Sequence, residues 1–149
     1  MLFCCFVLPA LVPWYFWGDS LWTGYFTAGV MRYVLLLNAT WCVNSAAHMW
    51  GNKPYDKNIN PVENFLVVFS CIGEGYHNYH HVFPFDYSAS EFGWSSTLNP
   101  STLFIDAMAT IGWAYDRKKM SHGHIDRRKN RTGDGSVGFG YKEVTKTES

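Results

Sequence analysis

The first third of the chain carries almost no charge, and this feature restricts its fold more than any other. Between Met1 and Asn52 only Asp19 and Arg32 are charged, whereas charged residues become frequent from Lys53 onward. The formal net charge of zero is therefore an average over two dissimilar parts. Such a distribution is too uneven for an ordinary soluble domain. It predicts an all-α membrane protein whose first part lies in the bilayer and whose remainder lies in water.

Residues 1–49 are predicted to form a transmembrane helical hairpin, with helices at about 1–17 and 20–49. The first run is uncharged and just long enough to cross a bilayer if Pro9 and Pro13 are absorbed as kinks. It has neither a basic start nor a small-residue cleavage site, which argues against a signal peptide. The high aromatic content of 18% supports this assignment, because aromatic side chains gather around the predicted turn, as at a membrane interface.

Three closely spaced histidines form the strongest chemical signal in the sequence. His77, His80 and His81 stand at positions i, i+3 and i+4, so on a helix their imidazoles project from one face. Neutral imidazole is a nitrogen donor suited to iron, zinc or copper. The alternative is a solvated polar turn, which is disfavoured because three of the six histidines fall within five residues. The pattern therefore predicts a metal site.

The end of the second predicted helix carries a further polar face. A helix over 20–49 would be roughly 45 Å long, so its last turns should protrude from a hydrocarbon core of about 30 Å. Asn44 and His48 lie on one face of these turns together with Trp41. A lone histidine is more often a core residue, but the second histidine cluster favours a ligand, since helix bundles build metal sites from facing helices. Arg32, near mid-membrane, must snorkel, pair with a further helix or line a polar cavity.

The remainder of the chain is predicted to lie in water. Residues 50–131 are expected to form a cytosolic helical cap, and residues 132–149 a flexible tail. Basic clusters at 117–119 and 127–131 follow the positive-inside pattern and place this part on the cytoplasmic side, close to anionic membrane lipid. No nucleic-acid partner is expected, because such clusters beside membrane helices are more often solvated or lipid-facing. Glu74 is either an acceptor that orients an imidazole or an exposed carboxylate.

Several segments closely resemble the membrane acyl-CoA desaturases of the stearoyl-CoA type. The similar strings are NSAAHMWGNKPYDKNINPVEN, GEGYHNYHHVFPFDYSASE, IDAMATIGWAYDRKK and RTGDGS, and the resemblance covers nearly the whole chain. It implies a part of a four-transmembrane-helix fold and a di-iron centre. The matching positions are His48, His77, His80 and His81 as iron ligands, Asn44 as a ligand through water, and Thr40 and Trp41 as residues lining the bend of the acyl tunnel.

The resemblance also implies a reaction. The family uses O2 and two electrons, passed from cytochrome b5 and its reductase, to introduce a cis double bond into a fatty acyl-CoA. Two Fe ions would be the cofactor, and the protein would be a multi-pass protein of the endoplasmic reticulum membrane with a cytosolic C-terminus. The residue types fit, because iron can form from oxygen the oxidant that an unactivated methylene chain requires, whereas zinc has no redox chemistry.

The chain departs from the family by lacking two further histidine boxes, of the HxxxxH and HxxHH kinds, and a first transmembrane hairpin. Only four histidines match family ligands, and a di-iron centre needs roughly twice as many. We therefore expect the C-terminal portion of a desaturase, from a truncated or partial sequence or an internal start at Met1, that is inactive alone. Two alternatives remain, namely a membrane histidine-rich di-iron hydroxylase and a non-catalytic fragment that modulates the full-length enzyme.

Overall fold

Every regular element in the described part of the chain is a helix. The structure, a computed structural model, describes residues 1–73, 75–94 and 99–138, where isolated bridges occur but no strand. This confirms the all-α class for those residues, which divide into two compact units with the boundary after residue 41. The helices are α1 (Leu8–Trp17), α2 (Leu21–Gly24), α3 (Arg32–Asn44), α4 (Ala46–Met49), α5 (Phe65–Ser70), α6 (His77–Val82), α7 (Pro100–Thr110) and α8 (His122–Thr132), with π-helical segments at Phe3–Val7 and Tyr25–Met31.

Small residues allow close packing within the first unit. Gly24 at the end of α2 and Ala10 of α1 are both buried. A Cβ atom at Gly24 would lie 2.8 Å from the Ala10 carbonyl oxygen, which is closer than van der Waals contact permits. Between the two helices the chain turns at Gly18, whose φ of 70° lies in the left-handed region that favours glycine. The first unit therefore contains a helical hairpin whose helices meet through small side chains.

Main-chain carbonyl groups of the first unit accommodate Arg32. Its Nε donates to the Ala28 carbonyl (2.9 Å), and its Nη2 donates to the Cys5 carbonyl (2.7 Å). Both acceptors lie in the π-helical segments, where the ordinary i to i−4 hydrogen-bond pattern is interrupted. For these two donors the chain itself supplies the partners, so one of the three alternatives, pairing with a further helix, is not needed for them.

One helix of the described residues is long and apolar enough to cross a membrane. It runs over Leu21–Met49, which is 29 residues, and only 6% of its most apolar window is buried. The core helix of a soluble domain would be mostly covered, whereas this helix exposes its apolar side chains. Length and composition thus support the second predicted span. The first is helical over Phe3–Trp17, which covers only about 22 Å at 1.5 Å per residue.

Aromatic side chains form the core of the second unit. Its buried members come from the loop after α4, from α5, from α6 and the residues directly before and after it, and from α8. The rings of Tyr55 and Tyr79 meet edge to face at a centroid distance of 5.0 Å, a favourable arrangement for two aromatic rings. This core attaches α6, which carries the histidine box, to α8. The cluster comprises Tyr55, Val68, Tyr76, Tyr79, Phe83 and Ile125.

The last residue of α8 and the residues that follow it pack on the loop after α4. Thr132 Oγ1 donates to the Tyr55 carbonyl (2.7 Å), and Lys53 N donates to the Asp134 carboxylate (2.7 Å). The first residues of the predicted tail are thus hydrogen-bonded to the second unit, while residues 139–149 lie outside the described residues. The predicted boundary at residue 49, which rests on membrane exposure, and the one at residue 131, which rests on the flexibility of the tail, stay predictions.

Candidate metal centre

Three histidines from two helices converge in the second unit. His48 lies in α4, and His77 and His81 lie one turn apart in α6. The Nε2 atom of His77 is 2.8 Å from Nε2 of His48 and 3.2 Å from Nε2 of His81. One ligand atom from each residue lies within 4.8 Å of those of the other two. His77 is buried, His48 is half-buried and His81 is exposed, so one side of the group is open to solvent.

The spacing of these nitrogens fits a shared metal ion better than a hydrogen-bonded cluster. A neutral imidazole Nε2 carries either one proton or one lone pair, so His77 Nε2 can form one such hydrogen bond but not two. Two nitrogens bonded to one first-row metal at about 2.1 Å lie roughly 3.0–3.4 Å apart. Two of the three pairs, at 2.8 and 3.2 Å, are close to that range, and the ligand atoms of all three residues lie within 4.8 Å of one another. Three imidazoles suit iron, zinc and copper alike.

A short segment, Val62–Asn64, joins the two histidine helices. Its first residue donates its main-chain N–H to the Ala47 carbonyl (2.8 Å), next to the histidine of α4. Its last residue donates to the Gly75 carbonyl (3.2 Å), two residues before α6. Its middle residue forms antiparallel bridges with Asn52 and Tyr76. These main-chain contacts hold α4 and α6 at the separation that the histidine cluster requires.

Asn78 attaches α6 to the loop after α4. Its Oδ1 accepts hydrogen bonds from Tyr55 N (2.9 Å) and Asp56 N (3.1 Å). Its Nδ2 donates to the carbonyls of Asp56 (3.0 Å) and Pro61 (2.9 Å). All four hydrogen-bonding positions of the amide are used, and the side chain is 0% exposed. No sequence pattern predicted this role, because all of its partners lie at least 17 residues away.

A tight turn between α5 and α6 brings the histidine box onto the second unit. The chain turns through Ile72 and Gly73, whose φ values of 54° and 100° both lie in the left-handed region. Gly75 packs so closely on Val68 that any Cβ atom would clash with the Val68 main chain. This close approach explains why position 75, just before the histidines, is a glycine. Glu74, predicted either to orient an imidazole or to be exposed, lies outside the described residues.

The electrostatic environment keeps the central imidazole neutral. Burial, followed by the nearby imidazoles of His81, His48 and His80, lowers the pKa of His77 to about 4. Burial and the neighbouring imidazoles also lower the pKa of His81. A neutral imidazole offers a lone pair to a metal ion, whereas the protonated form offers none. At neutral pH the lowered pKa values of His77 and His81 therefore favour the forms that can bind a metal ion.

His80, the fourth predicted histidine ligand, does not belong to the three-histidine group. Its ring lies 6.4 Å from that of His77 in a stacked arrangement and 5.8 Å from that of His81. It is also exposed. The structure thus leaves His80 beside the group, and its role as a ligand stays a prediction.

The other predicted site residues lie in or at the end of α3. Asn44 is exposed, and Ser45, with φ −117° and ψ −73°, interrupts the helix before α4 begins. Thr40 and Trp41 belong to the first unit, and the Thr40 hydroxyl donates to the main chain of its own helix (2.9 Å). The predicted contact of Asn44 through water and the predicted tunnel-lining role of Thr40 and Trp41 stay predictions.

The segment that joins the histidine helices carries a buried carboxyl group. Glu63 is 0% exposed, and among the described residues neither of its carboxyl oxygens has a hydrogen-bond partner. Burial, and after it the charge of Glu91, raises the pKa of Glu63 to about 8. A buried carboxyl without partners is more stable neutral than ionised. Glu63 is therefore mainly protonated at neutral pH.

Replacing Glu63 by glutamine should alter the pH dependence of stability. The folded pKa of about 8 lies above the ordinary value of 4.5, so the folded state holds this proton more tightly than the unfolded state. Its stabilising contribution is complete below the ordinary pKa and is lost as the pH rises through the folded pKa, on the order of a few kcal/mol. The thermal midpoint of Glu63→Gln should therefore fall less than that of the wild type between about pH 5 and pH 9. Equal falls of the two thermal midpoints would show that Glu63 does not cause the loss of stability at high pH.

Comparison with known proteins shows that most of the chain is similar to desaturases. It is 61% identical over 133 residues to stearoyl-CoA desaturase 5 of Bos taurus and 60% identical over 133 residues to stearoyl-CoA desaturase 5 of Homo sapiens. It is 57% identical over 140 residues to the stearoyl-CoA desaturase of Homo sapiens. No protein-family model matches the chain.

These similarities cover different shares of the compared proteins. The three matches cover 89%, 89% and 94% of this chain but only 39%, 40% and 38% of the respective relatives. The chain therefore spans about two fifths of the length of the curated relatives that it matches. The resemblance predicted from the sequence motifs is confirmed, including its restriction to part of a desaturase.

Proposed function

We propose that this chain supplies part of the iron centre of a membrane acyl-CoA desaturase. It is similar to stearoyl-CoA desaturases over about two fifths of their length. The observation that carries the proposal is the convergence of three imidazoles on a common point. His77 Nε2 lies 2.8 and 3.2 Å from the Nε2 atoms of two other histidines. Similarity to desaturases then selects iron from the metals that this donor set suits.

The histidines would have distinct roles in such a centre. Iron supplies the redox chemistry that turns O2 into an oxidant strong enough to remove hydrogens from a methylene chain. His48 from α4 and His77 and His81 from α6 would hold one ion, because their nitrogens already converge. His80, exposed beside them, would serve a second ion, and Asn44 would act through a water. The lowered pKa of His77 keeps its lone pair available at neutral pH.

Residues outside this chain would complete the site. Four imidazoles are too few ligands for two iron ions, so this chain alone would be inactive. The active protein would contain four transmembrane helices. Its substrates would be a fatty acyl-CoA and O2, with cytochrome b5 and its reductase as electron donors. It would lie in the endoplasmic reticulum membrane with a cytosolic C-terminus. Thr40 and Trp41 would contact the acyl chain.

A chimera tests this proposal directly. The part of human stearoyl-CoA desaturase 5 that the chain does not match is joined to this chain and expressed in a yeast strain without its own desaturase. We expect growth without added unsaturated fatty acid, and no growth with this chain alone. The same chimera with His77→Ala, expressed to the same level, should give no growth, because the atom common to both short nitrogen contacts is removed.

The products distinguish the remaining possibilities. Gas chromatography of the yeast lipids should show a new cis double bond. A hydroxylated acyl chain without a new double bond would instead indicate the hydroxylase. Growth supported by the 149-residue chain alone would contradict the predicted shortage of ligands. Growth of the His77→Ala chimera would contradict the metal assignment.

A further inference from the structure

Helix α8 presents a groove with an unusual lining. Four of its side chains stand at i, i+3, i+4 and i+7 and so share one face of the helix, namely His124, Arg127, Arg128 and Arg131. The adjoining face is anchored in the core by Ile125, which is 1% exposed. The groove, here called the α8 groove, has a volume of about 510 Å³. It is lined by Phe83, Met120, His124, Arg127, Arg128 and Arg131.

The described residues neutralise only part of the positive charge in the α8 groove. Arg128 pairs with Asp56, with 2.5 Å between Nη2 and Oδ2, but its buried Nε has no hydrogen-bond partner among the described residues. Within the same ranges, the ion pairs include neither Arg127 nor Arg131. These two exposed arginines stand at i and i+4 on the helix, where like charges repel. An anion between them would remove this repulsion, and a guanidinium group matches the geometry of a phosphate.

The floor of the groove is apolar. Phe83 is 5% exposed, and Met120 is half-buried against the aromatic core. A ligand that fits both parts of the groove has a phosphate next to an apolar group. The second unit begins within the helix Leu21–Met49, which is long and apolar enough to cross a membrane, so this unit is tethered to a segment suited to lipid. Tethering of this kind raises the effective concentration of a membrane ligand.

We propose that the α8 groove binds the phosphate of an anionic membrane lipid. Arg127 and Arg131 donate to the phosphate oxygens, and His124, whose Nδ1 is 2.7 Å from the Ser121 hydroxyl, lies beside them. Phe83 and Met120 contact the glycerol and the first methylene groups. Binding would hold the second unit at the membrane surface, independently of the metal centre.

Binding of short-chain lipids to the full chain in a neutral detergent tests the proposal. The probes are dioctanoyl phosphatidic acid, dioctanoyl phosphatidylcholine and inorganic phosphate at physiological salt. We expect saturable binding of phosphatidic acid and at least tenfold weaker binding of the other two probes. The double variant Arg127→Gln/Arg131→Gln should weaken phosphatidic acid binding roughly 30-fold, because two cationic contacts are removed. All altered side chains are exposed, and circular dichroism checks that the fold is kept.

A charge-matched control separates this site from general electrostatic attraction. Lys118→Gln/Lys119→Gln removes two exposed positive charges from the same unit outside the groove, and it should change the affinity less than about threefold. Equal weakening by both double variants would overturn the proposal in favour of diffuse attraction. Inorganic phosphate that binds as tightly as phosphatidic acid would show that the ligand is a soluble anion. Binding that does not saturate would show that no site exists.

Discussion

Replacing His77 by alanine is expected to weaken Co²⁺ binding by the chain at least 100-fold. The Nε2 atom of His77 takes part in both short contacts, at 2.8 Å with His48 and 3.2 Å with His81. Its removal therefore leaves only the His48 and His81 nitrogens as ligands. Loss of an outer hydrogen-bond partner of a ligand costs about 10–100-fold in metal affinity, and loss of the ligand itself costs more. Titration in neutral detergent, followed by the visible absorption of Co²⁺, reports affinity and coordination together.

His80→Ala is the matched control for this experiment. His80 lies in the same helix but outside the three-histidine group, so in the chain alone its replacement should change the Co²⁺ affinity less than about threefold. In the chimera, which under the proposed function would hold two ions, the same replacement should lower the bound iron from two ions to one. Equal losses for His77→Ala and His80→Ala in the chain alone would contradict the three-histidine site.

Replacing Asn78 by alanine is expected to affect both stability and metal binding. The change leaves two buried N–H groups and two carbonyls without the partner that the amide provides, and each such group costs about 1–3 kcal/mol. We therefore expect the free energy of unfolding to fall by about 3 kcal/mol or more. Because Asn78 directly follows His77 in α6, the Co²⁺ affinity should also fall at least tenfold at temperatures where the variant remains folded.

Asn58→Ala makes the same chemical change at an exposed position of the loop to which Asn78 binds. Among the described residues the Asn58 side chain makes one hydrogen bond, to the Asp56 carboxylate (3.1 Å), so its loss should cost less than about 1 kcal/mol and leave Co²⁺ binding unchanged. The Co²⁺ spectrum decides whether Asn78 positions the ligand. A less stable Asn78→Ala with unchanged affinity and spectrum would show a structural role alone.

The predictions that succeeded from sequence rest on local or compositional patterns. The all-α class and the long apolar helix Leu21–Met49 follow from a run that is almost free of charge, which needs no knowledge of distant contacts. The helix of the histidine box follows from the spacing of His77, His80 and His81, and the structure places all three in α6. The resemblance to desaturases was predicted from short local strings, two of which contain His48 and the histidine box.

Long-range contacts could not be read from such patterns. That His48 meets His77 depends on the segment Val62–Asn64 and on Asn78, whose hydrogen bonds reach across 17 to 23 residues. Helical spacing places His80 on the same face as His77 and His81, but it does not say which imidazoles lie opposite α4. The sequence thus specified the ligand type and the helix that carries it. The main-chain contacts of Val62–Asn64 place α4 beside α6 and so bring three of the four histidines together. Local periodicity could not predict this, because it specifies only a direction from one helix.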